Sequence, residues 1–298
     1  MNPYLLSGPA LISFSGGRTS RYMLKHILDA NGGLPRDVHV VFANTGKEDN
    51  RTLDFVHRVE TDYCPITWLE FDPEEPHRTK IVDHNSANRD GRPYEMLIDR
   101  RSFLPNPVMR FCTIELKIRR FAMYAQHWLG FEHWTSVVGL RADEPRRVEK
   151  LEPRNAENRD RWKTTAPLAA AGVVKNDVLA WSAAQPFDLE LSVDEDGDTV
   201  LGNCDLCFLK GRQKLEKIIA AQPDRADWWV EQESRQEKQP SFQNLRNPDM
   251  AKFRADRPSY AAMRSHAVWI KGMKDARDRK AALRALPDDD GGDCFCTD

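Results

Sequence analysis

The chain has 298 residues, enough for one large domain or two small ones, and its 44 Lys and Arg against 46 Asp and Glu leave a net charge of −2. That balance argues against a constitutive, non-specific nucleic-acid binder, which carries a strong basic excess. No apolar run approaches the roughly 18–20 residues of a membrane span, and segment 1–9 lacks a basic stretch followed by an apolar one, so the expectation is a cytoplasmic protein without a membrane anchor.

Leu11-Ile12-Ser13-Phe14 reads as a short strand. Ser15-Gly16-Gly17-Arg18-Thr19-Ser20 follows, and then Tyr22, Met23, Leu24, Ile27 and Leu28 recur at helical spacing. A small-residue turn between strand and helix gathers backbone N–H groups at the positive end of the helix dipole, which makes an anion cradle. Glycine lets a phosphate approach the backbone closely, and the hydroxyls of Ser15, Thr19 and Ser20 add donors. The stretch therefore predicts a phosphorylated ligand, with a nucleotide as the first choice.

Val38 to Ala43 is a nearly continuous apolar run, the pattern of a buried parallel strand. A helix pattern spans about 53–59, and Ile66 to Phe71 reads as a third strand. Segment 73–107 is polar and proline-bearing and reads as a large loop or excursion. Glu115 to Leu129 is helical, with Leu116, Ile118, Phe121, Ala122 and Ala125 on one broad face. Trp134 to Gly139 is a fourth strand, and 149–163 is strongly charged and expected at the surface. Repeated βαβ order predicts an α/β fold, a mostly parallel sheet with helices on both faces. Ligands in such sheets sit beyond the carboxyl ends of the strands. The cradle, Asn44-Thr45-Gly46 and Gly139-Leu140-Arg141 all fall there.

After Asp188 the alternation gives way to helices over 210–221, 224–237 and 257–286. The expected division is a nucleotide-binding α/β domain over 1–188, a helical region over 189–286, and a flexible acidic tail over 287–298 that bears cysteines.

The six cysteines of a cytoplasmic chain are metal ligands, catalytic thiols or core residues rather than disulfides. Cys204-Asp205-Leu206-Cys207 places two thiols before a helix, where they can reach one metal or cluster, and the helix dipole and Lys210 favour the thiolate form. Cys112 also stands at a helix start. Cys294 or Cys296 either completes a four-cysteine set or serves as a mobile reactive thiol. Cys64, at a strand entrance, reads as an inert buried residue. The fork of Arg141 suits a phosphate or sulfate, against an ion pair with Glu144. Lys117 either neutralises a phosphate or cluster or lies on a solvated face. Arg146, Arg147 and Lys150 form a small basic group.

Ser13 to Ser20 resembles the PP-loop of the adenine-nucleotide alpha hydrolase superfamily. Phe42 to Glu48, Gly139 to Pro145, and Pro167-Leu168 with Asp177-Val178 and Trp181 resemble, in order, three segments of the phosphoadenosine phosphosulfate (PAPS) reductase family. The resemblance implies an adenine nucleotide (ATP, adenylyl sulfate or PAPS) held by Ser13, Ser15, Gly16, Gly17, Arg18, Thr19, Ser20, Asn44, Thr45, Gly46 and Gly139. It implies a [4Fe–4S] cluster on Cys112, Cys204, Cys207 and Cys296, with zinc or no metal as the alternatives. It also implies reduction of the sulfate to sulfite by a thiol of Cys294 or Cys296, with Arg141 and Lys117 neutralising the leaving group and a protein thiol as reductant.

Two positions depart from the family. Thr19 stands where many PP-loop pyrophosphatases carry an aspartate near Mg2+, and the ending Asp293 to Asp298 only loosely resembles the reductases' Glu-Cys-Gly segment. Two other classes of function fit the same motifs. One is an ATP-dependent sulfurtransferase that adenylylates and thiolates RNA or DNA, and the other is a non-catalytic nucleotide- or metal-sensing protein.

Overall fold

Ala10–Ser13 (β1) lies at the centre of one six-stranded sheet, flanked by Val38–Ala43 (β2) and Trp134–Val137 (β5). Ile66–Phe71 (β3), Thr79–Val82 (β4) and Trp162–Thr165 (β6) complete it in the order β4-β3-β2-β1-β5-β6. These strands belong to a computed structural model that describes residues 2–194, 197, 199–239, 251–273 and 276–286. Every neighbouring pair is parallel except β3 with β4. The fold is therefore α/β with a mostly parallel sheet and a helical C-terminal part.

The strands β2 and β3 occupy the predicted residues, because helices cover both of their faces and nearly every side chain is apolar. One prediction needs correction. Segment 73–107 is not a plain loop, since it contains β4 and the helix Arg92–Arg101. The charged stretch 149–163 lies at the surface as expected, with none of its residues buried, and it holds the helix Leu151–Glu157 before running into β6. Both missed strands are sheet edges, with half or fewer of their residues buried, so neither shows the apolar run of a central strand.

The helix Arg18–Asn31 follows the cradle and ends on Gly32 in the left-handed conformation. The helix Asn50–Asp62 is capped by Asp49, whose side chain accepts from the Arg51 N–H. A longer helix runs through Phe111–Thr113, a π turn at Ile114–Ile118 and Arg119–His127. One core cluster joins Ile12, Phe14, Met23 and Trp68 to Leu206, Trp229, Phe253 and Met263 of the C-terminal part. A smaller cluster of Leu11, Val41, Ala122, Ala125 and Trp134 fills the opposite face.

The C-terminal part contains Arg212–Ala221, Asp227–Glu237, Tyr260–Gly272 and Ala276–Arg284. The single helix predicted over 257–286 is thus two. The expected tail 287–298, with Cys294 and Cys296, lies outside the described residues. Among the described residues no helix is long and apolar enough to cross a membrane.

Glu233 ties this part together by accepting from the backbone N–H groups of Phe253 and Tyr260. Burial pushes its carboxyl up to about 7. Between the ordinary carboxyl range and that value the folded protein keeps a proton that the unfolded chain has released. Stability therefore falls as pH rises through this window and levels off above it. Urea midpoints should be lower at about pH 7.5 than at about pH 5, and Glu233→Gln should narrow the gap. A wild-type protein more stable at the higher pH, or an unchanged gap in the variant, would show that Glu233 does not set this slope.

Candidate nucleotide pocket and cysteine group

The turn after β1 is shaped by two glycines with different jobs. Gly16 has φ +80°, and a Cβ there would lie 2.7 Å from the Thr52 Cγ2. Only glycine fits both the conformation and the space. Gly17 is the N-cap of the helix Arg18–Asn31 in extended backbone (φ −107°, ψ 169°), and no side chain caps that helix end. The first-turn N–H groups thus face the turn without a side-chain acceptor. The Ser15 and Ser20 hydroxyls are 3.1 Å apart, and Ser20 donates to the Gly17 carbonyl.

Arg18 points away from an incoming ligand. Its Nε lies 2.8 Å from the Asp188 Oδ2, and its Nη2 donates to the carbonyls of Leu189 and Leu191. It fastens the start of the helix to the segment entering the C-terminal part. Arg141 points the other way. Its Nη1 donates to the Thr19 Oγ1 at 3.1 Å, while its Nε pairs with Asp143 at 2.9 Å and its Nη2 lies 3.8 Å from Glu144. A guanidinium from the end of β5 therefore stands at the mouth of the cradle. A Cβ at Gly139 would lie 3.6 Å from the Thr19 Cγ2, an ordinary van der Waals contact, so the two segments pack closely here without requiring glycine.

Between β1 and β5 the chain changes direction across the sheet, and a pocket opens there. Ser13, Phe14 and Ser15 line it from β1 and the turn, and Ser136, Val138 and Leu140 line it from β5 and beyond. Phe121, Trp134 and Trp162 supply aromatic walls, with the two tryptophan rings stacked 5.2 Å apart. Lys117, Arg147, Lys150 and Arg154 bring positive charge to the same space. The last three follow an i, i+3, i+7 spacing, the one signal in the sequence that could have placed them together.

The segment after β2 turns inward. Ala43 lines the pocket, whereas Asn44 donates to the Glu70 carboxylate and to the Asn88 carbonyl, and its Oδ1 accepts from the Gly46 N–H. Burial raises the Glu70 carboxyl above its ordinary range. The Thr45 hydroxyl donates to Glu48 and lies 3.4 Å from the Cys204 Sγ. Glu48 is buried and faces Lys117 at 3.8 Å. A polar chain thus leads from the pocket to Cys204.

Cys112, Cys204 and Cys207 converge around Tyr94, which is fully buried. Burial, reinforced by the three thiols, lifts the Tyr94 hydroxyl well above its ordinary range, and that hydroxyl bonds to Cys112. Among the described residues no group of three or more His, Cys, Asp or Glu side chains is placed to hold a metal ion. Cys296, the fourth member of the expected set, lies outside the described residues. Burial pushes the Cys64 thiol up to about 11, which disfavours a thiolate there.

Over 212 residues the chain is 33% identical to a nin region protein, ORF290, of Escherichia phage lambda, an alignment that covers 69% of this chain and 67% of the phage protein. The chain belongs to the family of that phage protein. The relative is itself described as uncharacterized, so the kinship adds no activity. A crystal structure of phosphoadenylyl-sulfate (PAPS) reductase from Candida auris, a phosphate complex, is 15% identical, with a TM-score of 0.38 over 65% of this chain and 84% of that one. A score that low assigns neither fold nor function; the α/β architecture rests on the sheet itself. No family model matches the chain.

Proposed function

We propose that this protein binds an adenine nucleotide in the pocket between β1 and β5 and carries out sulfur chemistry on it in the manner of the PAPS reductases. The observation that carries the reading is the contact of Arg141 with Thr19 at the mouth of the cradle. Thr19 replaces the aspartate expected near Mg2+ in PP-loop pyrophosphatases, and a guanidinium stands beside it. That arrangement suits neutralisation of an anionic leaving group by a fixed cation. Aromatic walls for a base and a basic rim for phosphates support the same ligand.

In this reading a thiolate attacks the sulfur of adenylyl sulfate or PAPS. The S–O bond to the nucleotide phosphate breaks, and the nucleotide leaves with that electron pair as an anion beside Arg141 and Lys117. A second thiolate, from a protein reductant, then attacks the enzyme's S-sulfocysteine, releasing sulfite and leaving a disulfide. The resemblance to the reductases gives the attacking thiol to Cys294 or Cys296.

The reading assigns a metal to the cysteine group only when a tail thiol joins Cys112, Cys204 and Cys207. Two measurements check it together. Anaerobic incubation with adenylyl sulfate or PAPS and a thiol reductant should release sulfite. Anaerobic iron and sulfide analysis should find iron retained in Cys64→Ser and lost in Cys204→Ser. Absence of sulfite from either substrate removes the reductase reading, and equal iron in both variants removes the cluster. A second reading, ATP-dependent thiolation of RNA or DNA, is favoured by the four basic side chains around the pocket. Pyrophosphate release from ATP only in the presence of nucleic acid would select it.

A further inference from the structure

A second cationic site lies outside the nucleotide pocket. Arg78, Arg100, Arg101 and Arg119 surround a cavity of about 510 Å³ together with Phe71, Leu97 and Glu115. Glu115 is the single carboxylate in its lining, and it is shared by Arg101 at 2.5 Å and Arg119 at 2.8 Å. Arg78 and Arg100 have no ion-pair partner among the described residues. Arg78 and Arg119 also line an adjoining cavity of about 600 Å³ with His77, Met123 and Glu75. The two cavities thus form one groove, with guanidinium groups in excess over carboxylates.

The groove is held in shape by a buried device. His77 and Arg78 both adopt positive φ, 53° and 55°, which is strained for side chains of their kind. Arg120, 1% exposed, donates to the carbonyls of His77 and Arg78 and, at 2.7 Å, to the Thr79 hydroxyl. Burial lowers its guanidinium to about 10. One buried arginine therefore fixes the turn from which Arg78 projects. At the same end of the groove the His77 and His127 rings stack 3.4 Å apart, and Trp128, 39% exposed, meets His77 edge-on at 5.7 Å.

We propose that this groove binds single-stranded nucleic acid, with the arginines on successive phosphates and the His77–His127–Trp128 group as the platform for a base. A single small anion would be satisfied by one or two guanidinium groups at one point. Here the arginines, in excess over the carboxylates, line two adjoining cavities that end at exposed aromatic rings, the combination that tracks a phosphodiester backbone and stacks its bases. The overall charge of −2 does not oppose this, because the excess is local. The site shares no lining residue with the nucleotide pocket, so the inference does not rest on the reductase reading.

Fluorescence anisotropy with a labelled single-stranded oligonucleotide of about 20 nucleotides tests it. The full chain should bind, with affinity falling as salt rises. Arg78→Ala with Arg100→Ala should weaken binding at least about tenfold and reduce the salt slope by about 1.4, the share of two phosphate contacts on a single strand. Trp128→Ala should weaken binding by about tenfold with little change in slope. Thermal melts of all these variants, measured in parallel, should match wild type and so verify the fold. The proposal is overturned by no binding of the oligonucleotide, by wild-type affinity in the double arginine variant, by stronger binding of duplex than of single strand, or by equal competition from inorganic pyrophosphate at matched charge.

Discussion

Gly17→Val should fold and lose adenine-nucleotide binding, with affinity down at least about 100-fold. Gly17 sits in extended backbone that any residue adopts, so valine adds no conformational strain. What it adds is bulk at the N-cap, over the N–H groups that would receive a phosphate. Losing two charge-assisted hydrogen bonds, each worth about 1.5–3 kcal/mol, gives that fold-change. Gly16→Ala provides the contrast. Its positive φ and the 2.7 Å approach to Thr52 make any side chain destabilising, so this variant should lose both stability and binding. Titration calorimetry with a thermal melt of each variant separates the effects. Wild-type affinity in Gly17→Val would show that the nucleotide binds elsewhere.

Asp205→Ala should be the most destabilising single substitution at the junction with the C-terminal part, costing about 3–5 kcal/mol. Asp205 is 4% exposed and sits at the centre of a buried charge network. Its carboxylate accepts from the Leu206 N–H and from the Trp229 indole N–H at 2.9 Å. It faces Lys47 at 3.4 Å and Arg225 at 3.8 Å, and Arg225 also pairs with Asp49 at 2.5 Å. Removing it leaves Lys47 buried without this anion and the Trp229 N–H without its acceptor, and an uncompensated buried charge costs more than the pair contributed. Asp205→Asn, which keeps an acceptor for Trp229, should lose less. Urea unfolding of the two variants provides the check; a loss below about 1 kcal/mol in Asp205→Ala would mean that the network does not hold this junction.

The central strands were legible because burial on both faces demands a continuous apolar run, and Val38–Ala43 and Ile66–Phe71 end where that run ends. The edge strands Thr79–Val82 and Trp162–Thr165 were not, because an edge strand mixes lysine and threonine with its apolar residues. The cradle was legible as a strand, a glycine turn and a helix start within one short stretch. The role of Arg18 was not. Its partner Asp188 lies 170 positions away, and nothing local distinguishes a guanidinium aimed at a ligand from one aimed at a distant carboxylate. The arginine groove was likewise dispersed over 78–119, across the segment that reads as a loop and the helix that follows it.

Periodicity and turn chemistry alone determined that this chain builds a mostly parallel α/β sheet with a glycine turn between its first strand and the following helix, since both depend on residues within a few positions of one another. Only the folded chain decided which charges meet. It brought Arg141 to Thr19 across 122 positions, set Cys112, Cys204 and Cys207 around Tyr94, and collected arginines of an evenly charged sequence into one groove. Electrostatic and hydrogen-bonded contacts act through space at a few ångströms, and separation along the chain carries no information about which of them form.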